Sequence, residues 1–202
     1  MGILKEKNMR ALILNGEEID GFSLNHVSKI IIKELKTHNF EIKEILLKEK
    51  EIADCLGCFK CWVKTPGTCI INDYGRKAAA ELINSDLLIF LTPVRFGGYS
   101  YQLKKALDRM IPLISPYFKK IAGEVHHKKR YSKYPSILAV GIMKEKNESQ
   151  SKIFKELVER NSINFYSPHF KAEVFDLALK FDNTMLKNTV RIISKKVGEQ
   201  ND

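Results

Sequence analysis

The chain has 202 residues, 44% of them hydrophobic, and a formal net charge of +10. This length predicts a single domain over residues 1–202, and the apolar content excludes a disordered chain. No apolar run is long enough to span a bilayer, and the N-terminus lacks the apolar segment of a signal peptide. We therefore expect a cytoplasmic protein with no membrane partner.

The positive charge is spread along the chain rather than concentrated in one recognised motif. A basic balance favours anionic partners, but most of these lysines are expected on solvated helix faces. Because no nucleic-acid-binding motif accompanies the charge, we expect no nucleic-acid partner.

Five short apolar or alternating runs predict β-strands. They lie at residues 9–14, 40–47, 85–91, 136–143 and 170–177. Residues at helical spacing follow each strand. The first three helices are expected to start at Ser23, Asp73 and Ser100, and the last two helices are expected at 149–163 and 182–197. Two insertions interrupt this order: a cysteine-bearing segment at 54–72, and a basic segment at 112–135 whose prolines predict an irregular conformation.

The alternation of strand and helix predicts an α/β fold with a parallel sheet and helices on both faces. Five strands suit the flavodoxin-like three-layer sandwich, whose strand order is 2-1-3-4-5. Ligands of this fold bind where the order reverses, between the first and third strands. A ligand is therefore expected between the loops at 15–22 and 92–100.

The four cysteines of the protein all lie in the first insertion, at Cys55, Cys58, Cys61 and Cys69. Cytosolic cysteines are normally reduced, so this group indicates metal or redox chemistry before disulfides. Thiolates at such compact spacing can hold an iron–sulfur cluster of the 4Fe–4S type. Zinc is an alternative, although its ligands more often form two separated pairs. The third alternative is a packing loop of reduced thiols without metal.

The densest basic run begins at His126 and His127 and ends at Lys133. It is either a solvated loop or an anion site. As an anion site it would take the phosphates of a nicotinamide cofactor, an acidic substrate or an acidic electron-carrier protein.

The stretch from Cys55 to Arg109 resembles the flavodoxin-like NAD(P)H-dependent FMN reductases, in the branch of the iron–sulfur flavoproteins and their cluster-free relatives. The resemblance rests on three groups of residues: Cys55-x-Gly57-Cys58-x-x-Cys61 with Cys69 and Asp73; Thr92-Pro93-Val94 with Phe96, Gly97 and Ser100; and Lys104 with Asp108-Arg109. It is specific over 55–109 and loose elsewhere in 9–175.

This resemblance implies an enzyme that moves electrons from NAD(P)H through bound FMN to an acceptor that the sequence does not identify. It also implies a homodimer, because relatives commonly complete the flavin site across a subunit interface. It places the phosphate near Gly16, Ser23 and Asn25. It places the flavin ring against the loop formed by Thr92, Pro93, Val94, Arg95, Phe96, Gly97 and Gly98.

Two alternatives share the same scaffold, because a fold does not fix a function. One is an electron carrier without a substrate pocket, and the other is a binding protein without catalysis. No side chain is identified as a catalytic acid or base. Asp108-Arg109 is expected to be a structural ion pair.

The first loop departs from the family pattern. Relatives usually carry Gly-Ser-Pro-Arg there, whereas this chain has Gly16-Glu17-Glu18-Ile19. Carboxylates repel a phosphate dianion unless they point away from it, while the start of the following helix would attract it. Arg95 stands where relatives often have tyrosine, and a cation near the ring would favour an anionic reduced flavin.

Overall fold

The structure is a computed structural model that describes residues 8–121, 123–177 and 181–201. The strands are β1 (Met9–Asn15), β2 (Phe40–Leu46), β3 (Leu87–Pro93), β4 (Ile114–Ile121), β5 (Glu124–Lys129), β6 (Ser136–Met143) and β7 (Phe170–Asp176). The α-helices are α1 (Asn25–Lys36), α2 (Lys60–Val63), α3 (Tyr74–Ile83), α4 (Tyr101–Asp108), α5 (Glu148–Asn164) and α6 (Asn183–Asn201). Short 3-10 helices lie at Leu47–Glu49 and Ile111–Leu113.

Residues 1–7, on which the expectation of no signal peptide depends, lie outside the described part of the chain. Within the described ranges, no helix combines the length and apolar composition needed to cross a bilayer.

The central sheet has five parallel strands in the order β2-β1-β3-β6-β7. Counting only the strands of this sheet, the order is 2-1-3-4-5, so the predicted flavodoxin-like topology is confirmed. Strand β1 pairs in parallel with β2 on one side and with β3 on the other. Every residue of β3 and β6 is buried, as expected for central strands that helices cover on both faces.

Two apolar layers sandwich the sheet. On one face, Phe90 packs with Leu103 of α4 and Phe154 of α5, and α3 completes this layer. On the other face, Ile31 of α1 and Val190 of α6 belong to the second cluster. The helices therefore fix both faces of the strands whose carboxyl ends carry the candidate site.

The segment 112–135 is not irregular, contrary to the sequence prediction. It contains a two-stranded antiparallel sheet formed by β4 and β5. Pro112 lies in a 3-10 helix before β4, and the β4–β5 register shifts between Ile114 and Phe118, around Pro116. These prolines sit where the ladder begins or is interrupted, and such positions tolerate a missing N–H donor.

Part of the basic run fixes this hairpin to the sandwich. His126 is buried, with Nδ1 3.1 Å from the Asn164 side-chain oxygen and Nε2 3.0 Å from the Glu124 carboxylate. His126 is therefore a packed structural residue of β5 rather than part of a solvated loop. The anion-site interpretation of the remaining basic residues stays a prediction.

Two of the three predicted helix starts are confirmed. Asp73 caps α3 by accepting the Gly75 N–H at 2.9 Å, and Ser100 caps α4 by accepting the Leu103 N–H at 3.4 Å. Ser23 was expected to cap α1, but the cap residue is Leu24. A carboxylate from the preceding loop reaches the helix start instead, as described below.

Gly141 lies in β6, where a Cβ atom would come within 2.7 Å of Val94 Cγ2 and 3.0 Å of Phe154 Cε1. We expect Gly141→Ala to lower the free energy of unfolding by about 1–3 kcal/mol through overpacking. A Cβ atom added at Gly198 in α6 would have no neighbour within 4 Å. Gly198→Ala should therefore raise the free energy of unfolding by up to about 1 kcal/mol. Urea-induced unfolding measures both, and a Gly141→Ala protein as stable as the wild type would contradict the packing of this layer.

Candidate functional site

The candidate site is the crevice between the loops that leave β1 and β3, which we call the first loop (residues 16–24) and the second loop (residues 94–100). The Gly16 N–H donates to the Leu91 carbonyl at 2.7 Å, and the Ser100 hydroxyl donates to the Gly16 carbonyl at 2.6 Å. A Cβ atom at Gly16 would lie 2.6 Å from Ser100 Oγ and 2.9 Å from Leu103 Cβ. Glycine is therefore required where the two loops meet.

The second loop is supported from inside by three buried residues, Thr92, Pro93 and Val94. Thr92 Oγ1 accepts the Ser100 N–H at 3.0 Å and donates to the Pro93 carbonyl at 2.9 Å. The Val94 N–H donates to the Ile142 carbonyl of β6 at 2.9 Å. These side chains shape the loop and do not form its outer surface.

The outer part of the second loop is a tight turn over residues 95–98. Arg95 and Gly98 exchange backbone hydrogen bonds of 3.0 and 2.8 Å, and both central residues have positive φ, 51° at Phe96 and 78° at Gly97. Those angles are typical of a type I′ turn. A Cβ atom at Gly97 would lie 2.7 Å from Ile153 Cγ2, while the Phe96 side chain is 94% exposed. The turn is thus held against α5 and presents an apolar ring to solvent.

In the first loop, the carboxylate of Glu17 lies at the N-terminus of α1. It accepts the Leu24 N–H at 2.6 Å and the Ser23 hydroxyl at 3.4 Å, and it pairs with Lys48 Nζ at 2.5 Å. Residue Glu17 is only 9% exposed. A helix N-terminus attracts negative charge, so this carboxylate occupies the position that an anionic ligand would take.

Burial alone would favour the neutral acid at Glu17. The hydrogen bond from Lys48 and the Leu24 N–H outweigh it, and they hold the pKa of the Glu17 carboxyl below its usual value. The side chain is therefore an anion throughout the neutral pH range.

The neighbouring carboxylate, Glu18, faces the second loop instead of the helix. Arg95 Nε lies 3.2 and 3.0 Å from the two Glu18 carboxylate oxygens, and Arg95 Nη2 donates to the same carboxylate. This hydrogen bond raises the pKa of Arg95. The two departures from the family pattern, Glu18 and Arg95, are therefore partners that join the two loops across the crevice.

The predicted cofactor-binding residues divide into two groups. Gly16, Thr92, Pro93, Val94 and Gly97 are buried and build the loops. Ser23, Asn25, Arg95 and Phe96 are exposed, and Gly98 is half-buried. The structure gathers all of them on the two loops, the end of β3 and the start of α1, and their contacts with a cofactor remain predictions.

Lys48 was missed by the sequence interpretation. It lies directly after β2, whose carboxyl end borders that of β1 in the predicted sheet order. The adjacency of β1 and β2 in the predicted sheet order could have indicated that Lys48 lies near the first loop.

The four cysteines do not form a ready metal site. All are free thiols: Cys55 and Cys58 are exposed, Cys61 is buried and Cys69 is half-buried. Burial, and then the neighbouring Cys69 and Cys55, raise the pKa of the Cys61 thiol. In the part of the chain that the structure describes, no three Cys, His, Asp or Glu side chains converge as metal ligands. The described conformation therefore does not fit an iron–sulfur cluster.

The cysteine segment is anchored at both ends by Asp73 and Arg109. The Arg109 side chain is fully buried and pairs with Asp73 at 2.7 and 2.9 Å. Arg109 also donates to the Ala53 carbonyl at 2.7 Å and to the Ile71 carbonyl at 3.2 Å, and Asp73 accepts the Ala53 N–H at 2.8 Å. This pair closes the loop that carries the four thiols.

The role predicted for Asp108-Arg109 is structural, but the partners differ from the expectation. Asp108 pairs with Lys104 on the surface of α4 at 2.6 Å, while Arg109 pairs with Asp73. Adjacent residues on a helix point in different directions, which explains why these two do not meet.

Comparison with known proteins identifies the family of the chain. The NADPH-dependent FMN reductase family matches residues 9–141, which is more than half of the chain and includes both loops of the crevice. The chain belongs to this family. The predicted family is thereby confirmed, in agreement with the flavodoxin-like strand order described above.

Curated relatives are similar over shorter stretches. An iron–sulfur flavoprotein of Methanocaldococcus jannaschii is 40% identical over 73 residues, which are 36% of this chain and 37% of that protein. An iron–sulfur flavoprotein of Archaeoglobus fulgidus is 32% identical over 81 residues, which are 40% of this chain and 36% of that protein. The matched stretch thus spans well under half of the length of these relatives.

Solved structures show the fold over nearly the whole chain. The NAD(P)H:quinone oxidoreductase of Methanothermobacter marburgensis has a TM-score of 0.64 at 10% identity, covering 97% of this chain and 98% of that one. The FMN-dependent NADH-azoreductase of Bacillus anthracis, solved with FMN, has a TM-score of 0.63 at 13% identity, covering 96% and 100%. At these identities the likeness establishes the fold alone.

A cavity of about 590 Å³ lies beneath the cysteine segment of this FMN reductase family member, away from the crevice. Its walls include Cys69, Arg76, Arg109 and Tyr131. Because the cavity opens where the anchored loop covers α3, its shape depends on the Asp73–Arg109 pair.

Asp73→Asn would leave the Arg109 guanidinium buried without a carboxylate. We expect a loss of about 3 kcal/mol in the free energy of unfolding. The matched change Asp108→Asn breaks an exposed pair and should cost no more than about 0.5 kcal/mol. Urea unfolding at pH 7 measures both, and equal losses in the two variants would contradict the anchor.

The same pair predicts an acid dependence of stability. Burial favours the neutral form of Asp73, but the hydrogen bonds from Arg109 and the Ala53 N–H hold its pKa below the usual value. The stabilisation is therefore complete above the unfolded-state pKa and is lost as the pH falls through the folded-state pKa. In Asp73→Asn, the fall in stability below about pH 4 should be shallower than in the wild type; identical pH profiles would contradict this assignment.

Proposed function

We propose that the protein is a flavin-dependent oxidoreductase that moves electrons from NAD(P)H to an acceptor, with the flavin bound in the crevice between the first and second loops. The observation that carries this proposal is the position of the crevice at the point where the strand order reverses, between β1 and β3. That is the position at which the flavodoxin-like fold binds FMN. The family match supports it, because it covers both loops.

The residues of the second loop fit a flat aromatic ligand. The turn at 95–98 is closed by two backbone hydrogen bonds, carries glycines at two of its four positions and exposes Phe96. Glycine lets backbone groups approach a planar ring closely, and an exposed phenyl group offers it an apolar face. In this proposal these residues bind and orient the ring, while a bound flavin supplies the redox chemistry.

The first loop does not fit a phosphate as it stands, because Glu17 already occupies the start of α1. The second loop therefore suits the flavin ring, whereas the first loop does not suit the flavin phosphate. We propose that the flavin is held mainly through its ring and sugar chain.

We also propose a cytoplasmic homodimer in which a second copy completes the flavin site. Large apolar side chains surround the crevice and the cysteine segment with exposed fractions of 72% at Leu56, 50% at Phe59, 94% at Phe96 and 60% at Tyr101. Exposed apolar groups of this kind are typical of a surface that another protein covers. The electron acceptor is a small molecule, or an acidic electron-carrier protein attracted by the net charge of +10.

Gly97→Ala places a side chain at a positive φ and against Ile153, so it should distort the second loop. We expect the dissociation constant for flavin to rise at least about tenfold, a loss of about 1.4 kcal/mol. Quenching of flavin fluorescence during a titration measures it. Gly123→Ala imposes similar backbone strain at φ +85° on the β4–β5 turn and is the matched control. If both variants bind flavin like the wild type, the second loop is not the ring site.

A second candidate cofactor is a 4Fe–4S cluster held by Cys55, Cys58, Cys61 and Cys69. The spacing of the thiols supports it, as do the names of the iron–sulfur flavoproteins to which the chain is similar. In the described residues the thiols are not arranged as a metal site, so no electron path through a cluster follows from this conformation. Zinc and free thiols are the other outcomes.

The visible spectrum of protein purified without oxygen, before and after dithionite, distinguishes these outcomes. A cluster predicts a broad brown absorbance that is partly bleached and is lost in Cys58→Ser, whereas flavin bands persist in that variant. A two-banded yellow spectrum with no iron or zinc by elemental analysis would show that the thiols are free.

A further inference from the structure

We propose that Glu17 sets the flavin specificity of the crevice: its carboxylate stands in for the 5′-phosphate of FMN, so the site accepts the dephosphorylated flavin, riboflavin, at least as well as FMN. This inference rests on the proposed function, because it concerns the same crevice. It goes further by naming the form of the flavin and the residue that selects it.

The groups that would hold a phosphate are already engaged. A phosphate at a helix N-terminus is bound by free backbone N–H groups, neighbouring hydroxyls and a nearby cation. Here the Leu24 N–H, the Ser23 hydroxyl and the Lys48 ammonium all contact the Glu17 carboxylate, at 2.6, 3.4 and 2.5 Å. A phosphate would have to displace the carboxylate to reach the same three groups.

A second carboxylate makes the region still less suitable for a dianion. Glu44 Oε1 accepts the Ser28 hydroxyl of α1 at 2.7 Å and the Asn15 side-chain amide at 2.9 Å. Two further polar donors beside the first turn of α1 are thereby used by an anion of the protein. An incoming phosphate would therefore meet two carboxylates, Glu17 and Glu44, and one lysine that is already paired with Glu17.

The backbone at Glu17 is held by contacts of the residue itself and of both its neighbours. Its own N–H donates to Asn15 Oδ1 at 3.0 Å. On one side, Gly16 is packed against Ser100. On the other, Glu18 is held by Arg95. Because the residues on both sides of Glu17 contact the second loop, Glu17 is held at a defined place in the crevice.

A dephosphorylated flavin suits this arrangement. Its sugar chain ends in a hydroxyl group, which can donate a hydrogen bond, and an ionised carboxylate is an acceptor only. FMN instead ends in a second anion, which the carboxylate repels. The pKa of Glu17 lies below its usual value, so this discrimination persists across the neutral pH range.

The test is a pair of titrations, with riboflavin and with FMN, on the wild type, Glu17→Gln and Glu81→Gln, each followed by quenching of flavin fluorescence. We expect the wild type to bind riboflavin at least as tightly as FMN. Glu17→Gln keeps the shape but removes the negative charge, so it no longer repels the phosphate and leaves the Lys48 charge unbalanced. Its affinity for FMN relative to riboflavin should therefore rise about tenfold or more. Glu81→Gln removes the same charge from a carboxylate that also pairs with a lysine, Lys43, but lies on α3 outside the crevice, so this ratio should not change.

A wild type that binds FMN more tightly than riboflavin would overturn the inference while leaving the proposed flavin site intact, and so would an unchanged ratio in Glu17→Gln. Binding of neither flavin by the wild type would overturn the proposed function itself. If Glu17→Gln does not fold, Glu17→Ser removes the same charge. The ratio measured on the wild type is in any case a test that needs no variant.

Discussion

The hydrogen bond from the Ser100 hydroxyl to the Gly16 carbonyl, at 2.6 Å, joins the two loops on which the candidate site depends. It forms because β1 and β3 are neighbours whose carboxyl ends lie at one edge of the sheet, and because Gly16 has no side chain to keep α4 away. Ser100 also caps α4, so the same hydroxyl fixes the helix start. The crevice is thus a direct consequence of strand order and of one glycine.

Charge at the crevice follows from residues that are far apart in sequence. Glu17 meets Lys48 across 31 residues, and Glu18 meets Arg95 across 77. Each unusual carboxylate of the first loop pairs with its own cation. The positive charges of Lys48 and Arg95 are therefore balanced by carboxylates of the protein rather than by a bound phosphate. This arrangement fits the proposal that the second loop holds the flavin ring while the first loop no longer holds a phosphate.

The sheet order could be predicted because strands covered on both faces are almost wholly apolar, as in β3 and β6. The Asp73 cap was also predictable, since it acts on the helix that directly follows. Ser23 is not the cap because α1 begins one residue later than predicted, with Leu24 as its cap residue, although the Ser23 hydroxyl accepts the Asn25 N–H at 3.2 Å. The direction of each carboxylate and the partner of Arg109 depend on tertiary contacts, which local pattern does not encode. The β4–β5 hairpin was missed because its prolines fall at tolerated positions.

The most direct test of this account is a crystal structure of the protein grown with excess riboflavin. The account predicts the flavin ring against the turn at 95–98, with the sugar chain leading to a Glu17 carboxylate that still accepts the Leu24 N–H. A flavin bound instead in the cavity beneath the cysteine segment, or a Glu17 side chain turned out to solvent with the α1 N-terminus on the ligand, would contradict it.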